Sequence, residues 1–428
     1  MEKFRVTVSA LEMASSVHVK VRGIAAGGSG VADLPDGRVV FVPRTAPGDR
    51  VSIKIDRAKP RWAMGSVRKI LEPGDGRVKP LCALYHDCGG CQLQHIPYKS
   101  QLEWKGRIVA DALKRIGGLS DIEPPTVVAS PEVTEYRSRM TFTLRRLRGG
   151  HIAAGFYGLH RPAHVVDVSD ECVLPVGPLI EVWRSLRRGW GRAARHLPSA
   201  GRLQLTLQLD DRGITLIVDG GRAPWKAERL CKAVPELSAI WHVPGDGASE
   251  PRLLIGTESG KAVPRFEQAN SGAALLLLDY LVGIAGSGTR AIDAYCGSGR
   301  YGHALAAGGW EVIGVESDIL ACRAARLSAP VGFTIVEGQV EDRLTDLLPT
   351  DLLIVNPPRV GLSSEVVEAV SKSPAGRLIY VSCDPATLGR DINRLRGTYT
   401  PEGVRCFDFF PQTAHVETVI ELRAGRAL

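Results

Sequence analysis

Hydrophobic and polar positions in the last third of the chain form short apolar runs separated by segments of helical length. Six such runs follow residue 266, and they span 290–295, 311–315, 332–336, 351–355, 378–381 and 416–422. This alternation of strands and helices predicts a doubly wound parallel sheet, in which ligands bind at the carboxyl ends of the strands. We therefore predict an α/β, Rossmann-like domain over residues 266–428.

Residues 16–71 show a different pattern, with short β-type runs and glycine turns at intervals of about 8 to 12 residues. This spacing predicts a small β-barrel of the OB type over residues 15–72. The loop at 57–62 carries Arg57, Lys59, Arg61 and Trp62, which suit phosphate contact and base stacking. The stretch resembles a TRAM domain, an RNA-binding barrel, although a basic barrel without an RNA partner is the alternative.

The middle of the chain, residues 73–265, mixes β-type runs with helical segments and predicts an α+β domain. Apolar side chains at Trp104, Ile108, Ala112 and Ile116 recur every four residues, which predicts a helix over 97–117. The segment at about 93–125 is a candidate to pack on the C-terminal domain instead of its own. The chain thus divides into three predicted domains.

Composition is that of a globular protein, with 428 residues, 44% hydrophobic and 23% charged. No run of 18 apolar residues and no secretory leader pattern occurs, so we expect a cytoplasmic monomer without a membrane partner. The net charge is +8, and residues 136–166 hold six arginines, three histidines and no acid. Such basic clusters favour a polyanion partner, usually a nucleic acid.

Three of the nine cysteines lie close together, as Cys82, Cys88 and Cys91 with two glycines between the last pair. Structural zinc sites usually combine two close pairs of ligands, whereas iron–sulfur clusters often take three thiolates from one loop and a remote fourth. Cys172 is the best candidate for that fourth ligand. Iron–sulfur binding is the preferred interpretation, and zinc or a disulfide are the alternatives.

A glycine-rich turn follows the first strand of the predicted α/β domain, in the sequence from Tyr295 through Gly297 and Gly299 to Gly302. Glu316 closes the next strand, where an acid can accept hydrogen bonds from a ribose. This pattern indicates an adenosine-containing ligand but does not separate a nicotinamide cofactor from S-adenosylmethionine. The fourth strand ends at Asn356, and the rigid Pro-Pro turn after it suits a methyl donor or a target base better than a dehydrogenase.

Cys383 follows the fifth strand, and Asp384 and Pro385 then provide a cap and a first residue for a helix. Because a helix N-terminus favours a thiolate, we expect a lowered pKa for Cys383. A thiolate beside a methyl donor indicates C5 methylation of a pyrimidine, since addition at C6 makes C5 nucleophilic. A base must then remove the C5 proton, and Glu417 is preferred over His415 because it lies deeper along the last strand.

These motifs together resemble the bacterial RNA (uracil-5-)-methyltransferase family, in its TRAM- and cluster-containing branch that acts on 23S ribosomal RNA. The resemblance extends over nearly the whole chain and includes the barrel, the cysteine loop, FxQxN at 266–270, YCGxG, GVE, PPR, SCDP and HVET. It implies that Cys383 is the nucleophile and Glu417 the proton acceptor. It also implies a 4Fe-4S cluster on four thiols, which are Cys82, Cys88, Cys91 and Cys172.

The same resemblance implies that S-adenosylmethionine is contacted by Gln268, Tyr295, Gly297, Gly299, Arg300, Glu316 and Asn356. Two of these positions depart from the family, because Asn356 stands where Asp is usual and Arg300 where Asn is frequent. The predicted function is formation of 5-methyluridine in 23S ribosomal RNA. The alternatives are the same chemistry on transfer RNA and a non-catalytic RNA-binding or redox-sensing module.

Overall fold

The computed structural model describes residues 16–245, 251–256 and 268–425. Phe266, at which the pattern predicts the C-terminal domain to begin, lies outside the described residues. Within these ranges the strands form a closed five-stranded barrel, a seven-stranded sheet and an eight-stranded sheet. None of the helices described is both long and apolar enough to cross a membrane.

The elements are numbered in chain order over the described residues. The strands are β1 (Val17–Ile24), β2 (Gly30–Asp33), β3 (Val39–Val42), β4 (Arg50–Ala58), β5 (Trp62–Glu72), β6 (Val127–Val128), β7 (Arg139–Arg146), β8 (Ile152–Gly158), β9 (Arg161–Asp167), β10 (Arg202–Asp210), β11 (Gly213–Asp219), β12 (Leu237–Val243), β13 (Arg252–Ile255), β14 (Arg290–Ala294), β15 (Glu311–Glu316), β16 (Phe333–Glu337), β17 (Leu352–Val355), β18 (Arg377–Ser382), β19 (Tyr399–Phe407) and β20 (Glu417–Ala424). The helices are α1 (Tyr98–Arg115), α2 (Gly177–Gly189), α3 (Ala227–Ala233), α4 (Ser271–Ala285), α5 (Arg300–Ala307), α6 (Ile319–Leu327), α7 (Val340–Leu347), α8 (Ser364–Lys372) and α9 (Pro385–Leu395).

The N-terminal barrel closes in the order β1-β2-β3-β5-β4, which confirms the predicted barrel. Alternate side chains of its strands point inward, and Val40, Val51 and Ile53 are completely buried. The four-residue strand β2 was not predicted, because it follows the glycine turn without an alternating pattern of its own. Across the turn from β4 to β5, the Arg57 guanidinium lies 5.8 Å from the centroid of the Trp62 ring.

The central sheet has the order β13-β12-β11-β10-β7-β8-β9. Its neighbouring strands are antiparallel except for β11 and β12, so the predicted mostly antiparallel α+β unit is confirmed. Helices α2 and α3 cover one face, where the rings of Phe142 and Trp183 stack with centroids 3.8 Å apart. The basic stretch at 136–166 forms one edge of this sheet.

The C-terminal sheet has the order β16-β15-β14-β17-β18-β20-β19-β6. Strands β14 to β18 are parallel, but β20 is antiparallel to both of its neighbours, so the prediction of an entirely parallel sheet is wrong in its last strand. Strand β19 was not predicted, because Pro401 and Gly403 interrupt its apolar pattern at a bulge. Helix α9 begins where predicted, and the Asp384 carboxylate accepts a hydrogen bond from the Thr387 amide at 2.8 Å.

Helix α1 and strand β6 precede the central sheet in sequence but pack on the C-terminal domain. Strand β6 pairs with β19, and α1 approaches α9 so closely that a Cβ at Gly389 would lie 2.9 Å from the Ala112 carbonyl oxygen. Lys105 on α1 donates to Asp408 at 2.6 Å, and both side chains are completely buried. Residues 98–128 are therefore part of the C-terminal packing unit.

Candidate active site

The predicted functional residues of the C-terminal domain meet at one edge of its sheet. Strands β14, β15, β17 and β18 end there, and β20 begins there because it runs antiparallel. Ser382 pairs with Thr418 as the last partners of β18 and β20, and the next residues, Cys383 and Glu417, both lie at this edge, where the Glu417 charge acts on the Cys383 thiol. Because β20 runs antiparallel, its first residue, Glu417, lies at the edge of the sheet where the parallel strands have their carboxyl ends.

Cys383 is half-buried between the end of β18 and the N-terminus of α9. Burial raises the pKa of its thiol, the Glu417 charge raises it further, and the Arg359 guanidinium acts in the opposite direction. The expected lowering of the Cys383 pKa is therefore wrong. The helix N-terminus is present, but desolvation outweighs it.

Glu417 is the first residue of β20 and only 5% exposed. Desolvation raises the pKa of its carboxyl group to about 8, and the Arg359 charge opposes this rise. A carboxylate with such a pKa is a stronger proton acceptor than an ordinary glutamate. The competing base, His415, is more exposed, and desolvation followed by the Arg359 charge lowers its pKa.

Arg359 is a functional candidate that the sequence did not reveal. Its motif identified a turn after β17, and nothing in the local pattern indicated which residues its side chain would meet. In the structure its charge acts on Cys383, His415 and Glu417. A cation here favours the ionised forms of both the thiol and the carboxyl group.

The turn that leads into β20 is held by the central part of the chain. Gln412 adopts a positive φ of 69°. Its side-chain oxygen accepts a hydrogen bond from the side-chain NH2 group of Gln101 on α1, and its backbone N–H donates to the side-chain oxygen of Gln101. Its carbonyl oxygen accepts hydrogen bonds from the amides of Gln92 and Leu93, both at 3.0 Å. The position of Glu417 therefore depends on residues near the cysteine loop.

The glycine-rich turn after β14 is shaped around Glu316. The carboxylate of Glu316 accepts hydrogen bonds from the amides of Gly297, Ser317 and Asp318 at 2.8 to 2.9 Å. Gly297 has a φ of 56°, and a Cβ placed there would meet no atom within 4 Å. The turn thus leaves open space beside an anchored carboxylate, as an adenosine-type ligand requires.

The other residues predicted to contact the donor lie around this turn. Tyr295 has a φ of 61°, and its hydroxyl donates to Glu341 at 3.1 Å. Asn356 is half-buried, and its backbone N–H donates to the carbonyl oxygen of Ala294, the residue before Tyr295. Arg300 is the exposed first residue of α5, and Gln268 is half-buried shortly before α4.

The four predicted cluster cysteines line a single cavity of about 60 Å³ between the cysteine loop and the central sheet. The described residues contain no group of three or more His, Cys, Asp or Glu side chains arranged to hold a metal ion. One ordered water needs only about 10–15 Å³, so the cavity has room for a larger group. Arg44 of the barrel secures the loop by donating to the carbonyl oxygens of Cys88 and Cys91 at 2.6 and 2.5 Å.

Comparison with known proteins finds matches for both ends of the chain and for nearly its whole length. Residues 339–424 match the family described as tRNA (Uracil-5-)-methyltransferase, and residues 14–67 match the TRAM domain. The chain is 32% identical to an uncharacterized RNA methyltransferase of Gloeobacter violaceus, over 96% of this chain and 97% of the relative. The chain belongs to the RNA uracil-5-methyltransferase family. Another uncharacterized RNA methyltransferase, from Synechocystis, is 32% identical over 96% of both chains.

A solved structure supports the fold of this RNA methyltransferase. The Pyrococcus abyssi tRNA (uracil-54, C5)-methyltransferase in complex with S-adenosyl-L-homocysteine superimposes with a TM-score of 0.70 at 24% identity. The match covers 95% of this chain and 99% of that one. Because the family consists of enzymes, the alternative of a non-catalytic RNA-binding or redox-sensing module is not supported.

Proposed function

We propose that this RNA methyltransferase uses S-adenosylmethionine to methylate C5 of a uridine in 23S ribosomal RNA, through a covalent bond between Cys383 and C6. The observation that carries the proposal is the pairing of β18 with β20, which brings a thiol and a carboxyl group to the edge of the sheet where the other parallel strands end. A nucleophile and a base close enough for the charge of one to act on the other suit a reaction in which both act on neighbouring atoms of one ring.

The residues act in a definite order in this proposal. The Cys383 thiolate adds to C6 of the uracil, and the electron pair moved toward C5 forms a bond to the methyl carbon of S-adenosylmethionine. The bond from that carbon to the sulfonium sulfur breaks, and S-adenosylhomocysteine leaves with its electron pair. Glu417 then accepts the C5 proton, the C5–C6 double bond re-forms, and the bond from sulfur to C6 breaks. Arg359 stabilises the thiolate before attack and the carboxylate before proton transfer.

The glycine turn fits the proposed donor. The open space beside Gly297 admits a ligand close to the backbone. Oε2 of the Glu316 carboxylate accepts one hydrogen bond, from the Gly297 amide, and can accept another from a ribose hydroxyl. The proposed donor contacts are the side chains of Gln268, Tyr295, Arg300, Glu316 and Asn356 and the backbone at Gly297 and Gly299.

Asn356→Asp is expected to retain methyl transfer. The added carboxylate at the end of β17 attracts the cationic donor, so the KM for S-adenosylmethionine should fall by up to about fivefold, the size of a partly exposed charge interaction. Steady-state kinetics with varied donor measures this change, and Asn356→Leu provides the uncharged comparison. Complete loss of activity in Asn356→Asp would count against the proposed donor contact.

We also propose that Cys82, Cys88, Cys91 and Cys172 hold a 4Fe-4S cluster. The support is that four thiols line one cavity larger than a single ion needs, with the positive Arg137 in its wall. When bound, the cluster would supply four iron–sulfur bonds that join the loop at 82–91 to Cys172. Because Gln92 follows Cys91 directly and bonds to the turn before Glu417, we assign the cluster a structural role.

Protein purified without oxygen is expected to be brown and to contain about four iron atoms per chain. Cys172→Ser should lose most of the iron and melt at a lower temperature, whereas Cys231→Ser, at a half-buried thiol on α3, should retain the iron. Metal analysis and thermal melting provide the readouts. One zinc per chain, or no metal after anaerobic purification, would contradict the cluster.

The RNA substrate is tested by incubating the enzyme with labelled donor and either 23S ribosomal RNA or total transfer RNA, followed by nucleoside analysis. We expect 5-methyluridine in the ribosomal RNA. The second candidate, transfer RNA, is favoured by the structural likeness to the Pyrococcus abyssi enzyme. Label in transfer RNA alone would select that candidate, and absence of 5-methyluridine from both would contradict the proposed activity.

A further inference from the structure

Arg359 belongs to a loop, residues 358–363, that is clamped by helix α9. The loop contributes its backbone to the clamp: the Thr387 hydroxyl donates to the Arg359 carbonyl at 3.1 Å, and Arg390 donates to the Val360 carbonyl at 2.7 Å. Arg394 donates to the Leu362 carbonyl at 2.9 Å. The helix that begins just after the nucleophile therefore also fixes the loop that carries the neighbouring cation.

Asp391 is the centre of this clamp. Its carboxylate is completely buried, and one oxygen accepts hydrogen bonds from the Leu362 amide at 2.8 Å and the Tyr380 hydroxyl at 2.9 Å. The other oxygen accepts from Arg390 at 2.9 Å and from Arg394 at 3.2 Å. Asp391 thus joins the loop, the helix and strand β18, which ends at the nucleophile.

The loop approaches the helix at Gly361. Its φ of 77° lies in the left-handed region, and a Cβ there would lie 2.3 Å from an oxygen of Asp391 and 2.4 Å from the Thr387 methyl carbon. A larger residue would have to displace the loop. Contact between loop and helix therefore requires glycine at this position.

We propose that Asp391, acting through Gly361 and the two arginines of α9, is a positioning residue that holds the Arg359 guanidinium against Cys383 and Glu417. The inference rests on the proposed function, in which those two residues are nucleophile and base. Asp391 itself does not touch the reacting atoms. Its two oxygens accept hydrogen bonds from the loop, from β18 and from two arginines of α9, so it links three elements around the site.

A purely stabilising role would have a different consequence. A buried carboxylate held by arginines stabilises a fold only weakly, and loss of one partner destabilises any such site. A positioning role additionally makes the ionisation of Cys383 depend on Asp391, because the charged groups that act on the thiol are Arg359 from the loop and Glu417 from β20. Glu417 in turn acts on Tyr301 of α5.

The test measures the ionisation of Cys383 directly, without RNA or donor. Full-length chains carrying Glu417→Gln, which removes the neighbouring acid, are treated with iodoacetamide at a series of pH values, and peptide mass spectrometry gives the rate at Cys383. Arg359→Met should move the midpoint of the profile up by about one pH unit, as loss of a close opposite charge does. Asp391→Asn and Gly361→Ala should each move it up by about half a unit, because Arg359 remains but is displaced.

Asp49→Asn is the matched control. Asp49 is equally buried and bonds to Arg77 at 2.6 Å and to two backbone amides, but it lies in the barrel domain. We expect this variant to lower the melting temperature without moving the Cys383 midpoint. If Asp391→Asn fails to fold, Gly361→Ala still tests the clamp, because it changes the loop and retains the carboxylate of Asp391.

An unchanged midpoint in folded Asp391→Asn and Gly361→Ala, with a shifted midpoint in Arg359→Met, would overturn the inference. So would an equal shift in Asp49→Asn. Failure of the proposed function is a separate result, since it would appear as absence of 5-methyluridine from RNA treated with the unmodified enzyme. The alkylation profile does not depend on that outcome.

Discussion

Cys383→Ala is expected to abolish methyl transfer to RNA, with a loss of at least about 10⁴-fold in kcat, as for other enzymes deprived of their nucleophile. Without the thiolate, C5 of uracil is too weakly nucleophilic to accept the methyl group, so the reaction stops before methyl transfer. Incorporation of labelled methyl groups into RNA measures the loss. The variant should still bind RNA, because its barrel and basic stretch are unchanged.

The control for this prediction is Cys231→Ala, which removes a half-buried thiol on α3 of the central domain. It should retain methyl transfer and cost only modest stability. Cys383→Ser tests the role of the sulfur itself, because a hydroxyl in this partly desolvated position is a far weaker nucleophile. Substantial activity in Cys383→Ala would contradict the covalent mechanism and would leave only the family assignment standing.

Glu417→Gln is expected to trap the enzyme on its RNA. The thiolate can still add to C6 and the methyl group can still be transferred, but the C5 proton then has no acceptor, so the bond from sulfur to C6 cannot break. Turnover should fall by about 10²- to 10⁴-fold, the usual contribution of a general base. The measurement is denaturing gel electrophoresis, on which the covalent protein–RNA complex should appear as a band of reduced mobility.

His415→Gln is the matched variant for the competing base. We expect it to turn over without accumulating the joined species, since His415 is more exposed than Glu417. Accumulation in His415→Gln and free turnover in Glu417→Gln would reverse the assignment. This pair of variants therefore decides which residue accepts the proton.

The pH dependence gives a further check on the base. Because burial raises the pKa of Glu417 to about 8, its ionised fraction falls about tenfold for each pH unit below that value. Release of the methylated RNA should therefore accelerate as the pH rises toward 8 and level off above it. In Glu417→Gln, the single-turnover rate of release should no longer increase between about pH 6 and pH 8 in this way, because the titrating carboxyl group is absent.

The sequence predicted those parts of the fold that local patterns specify. The helix after Cys383 was predicted because Asp384 and Pro385 are start signals that act within a few residues. The antiparallel course of β20 was not predicted, because direction depends on a partner strand far away in sequence. Cys383 and Glu417 nevertheless lie at the same edge of the sheet, since β20 begins where β18 ends.

The pKa values of the site residues could not be predicted from the sequence either, because they depend on groups that are distant along the chain. The thiol pKa was predicted from a local helix end, while desolvation arises from residues scattered along the chain. The role of Arg359 likewise depends on the path of its loop, which bends at Gly361 and is held by Asp391, a residue of the following helix α9. All four cysteines line one cavity. The close spacing of Cys82, Cys88 and Cys91 indicated that these three would lie together, and Cys172 was the best candidate for the fourth.

The attachment of α1 and β6 to the C-terminal sheet makes residue 266 a poor breakpoint for chimeric enzymes. A fragment that begins there would lack β6, the partner of the β19 edge, and would expose the apolar residues that pack against Val109 and Leu113. The buried Asp408 carboxylate would also lose its ion-pair partner, Lys105. Loss of such a buried partner alone costs about 3–5 kcal/mol. A graft of barrel and central sheet from a relative should therefore leave residues 98–128 with the recipient. The exchangeable unit of this enzyme is discontinuous in sequence.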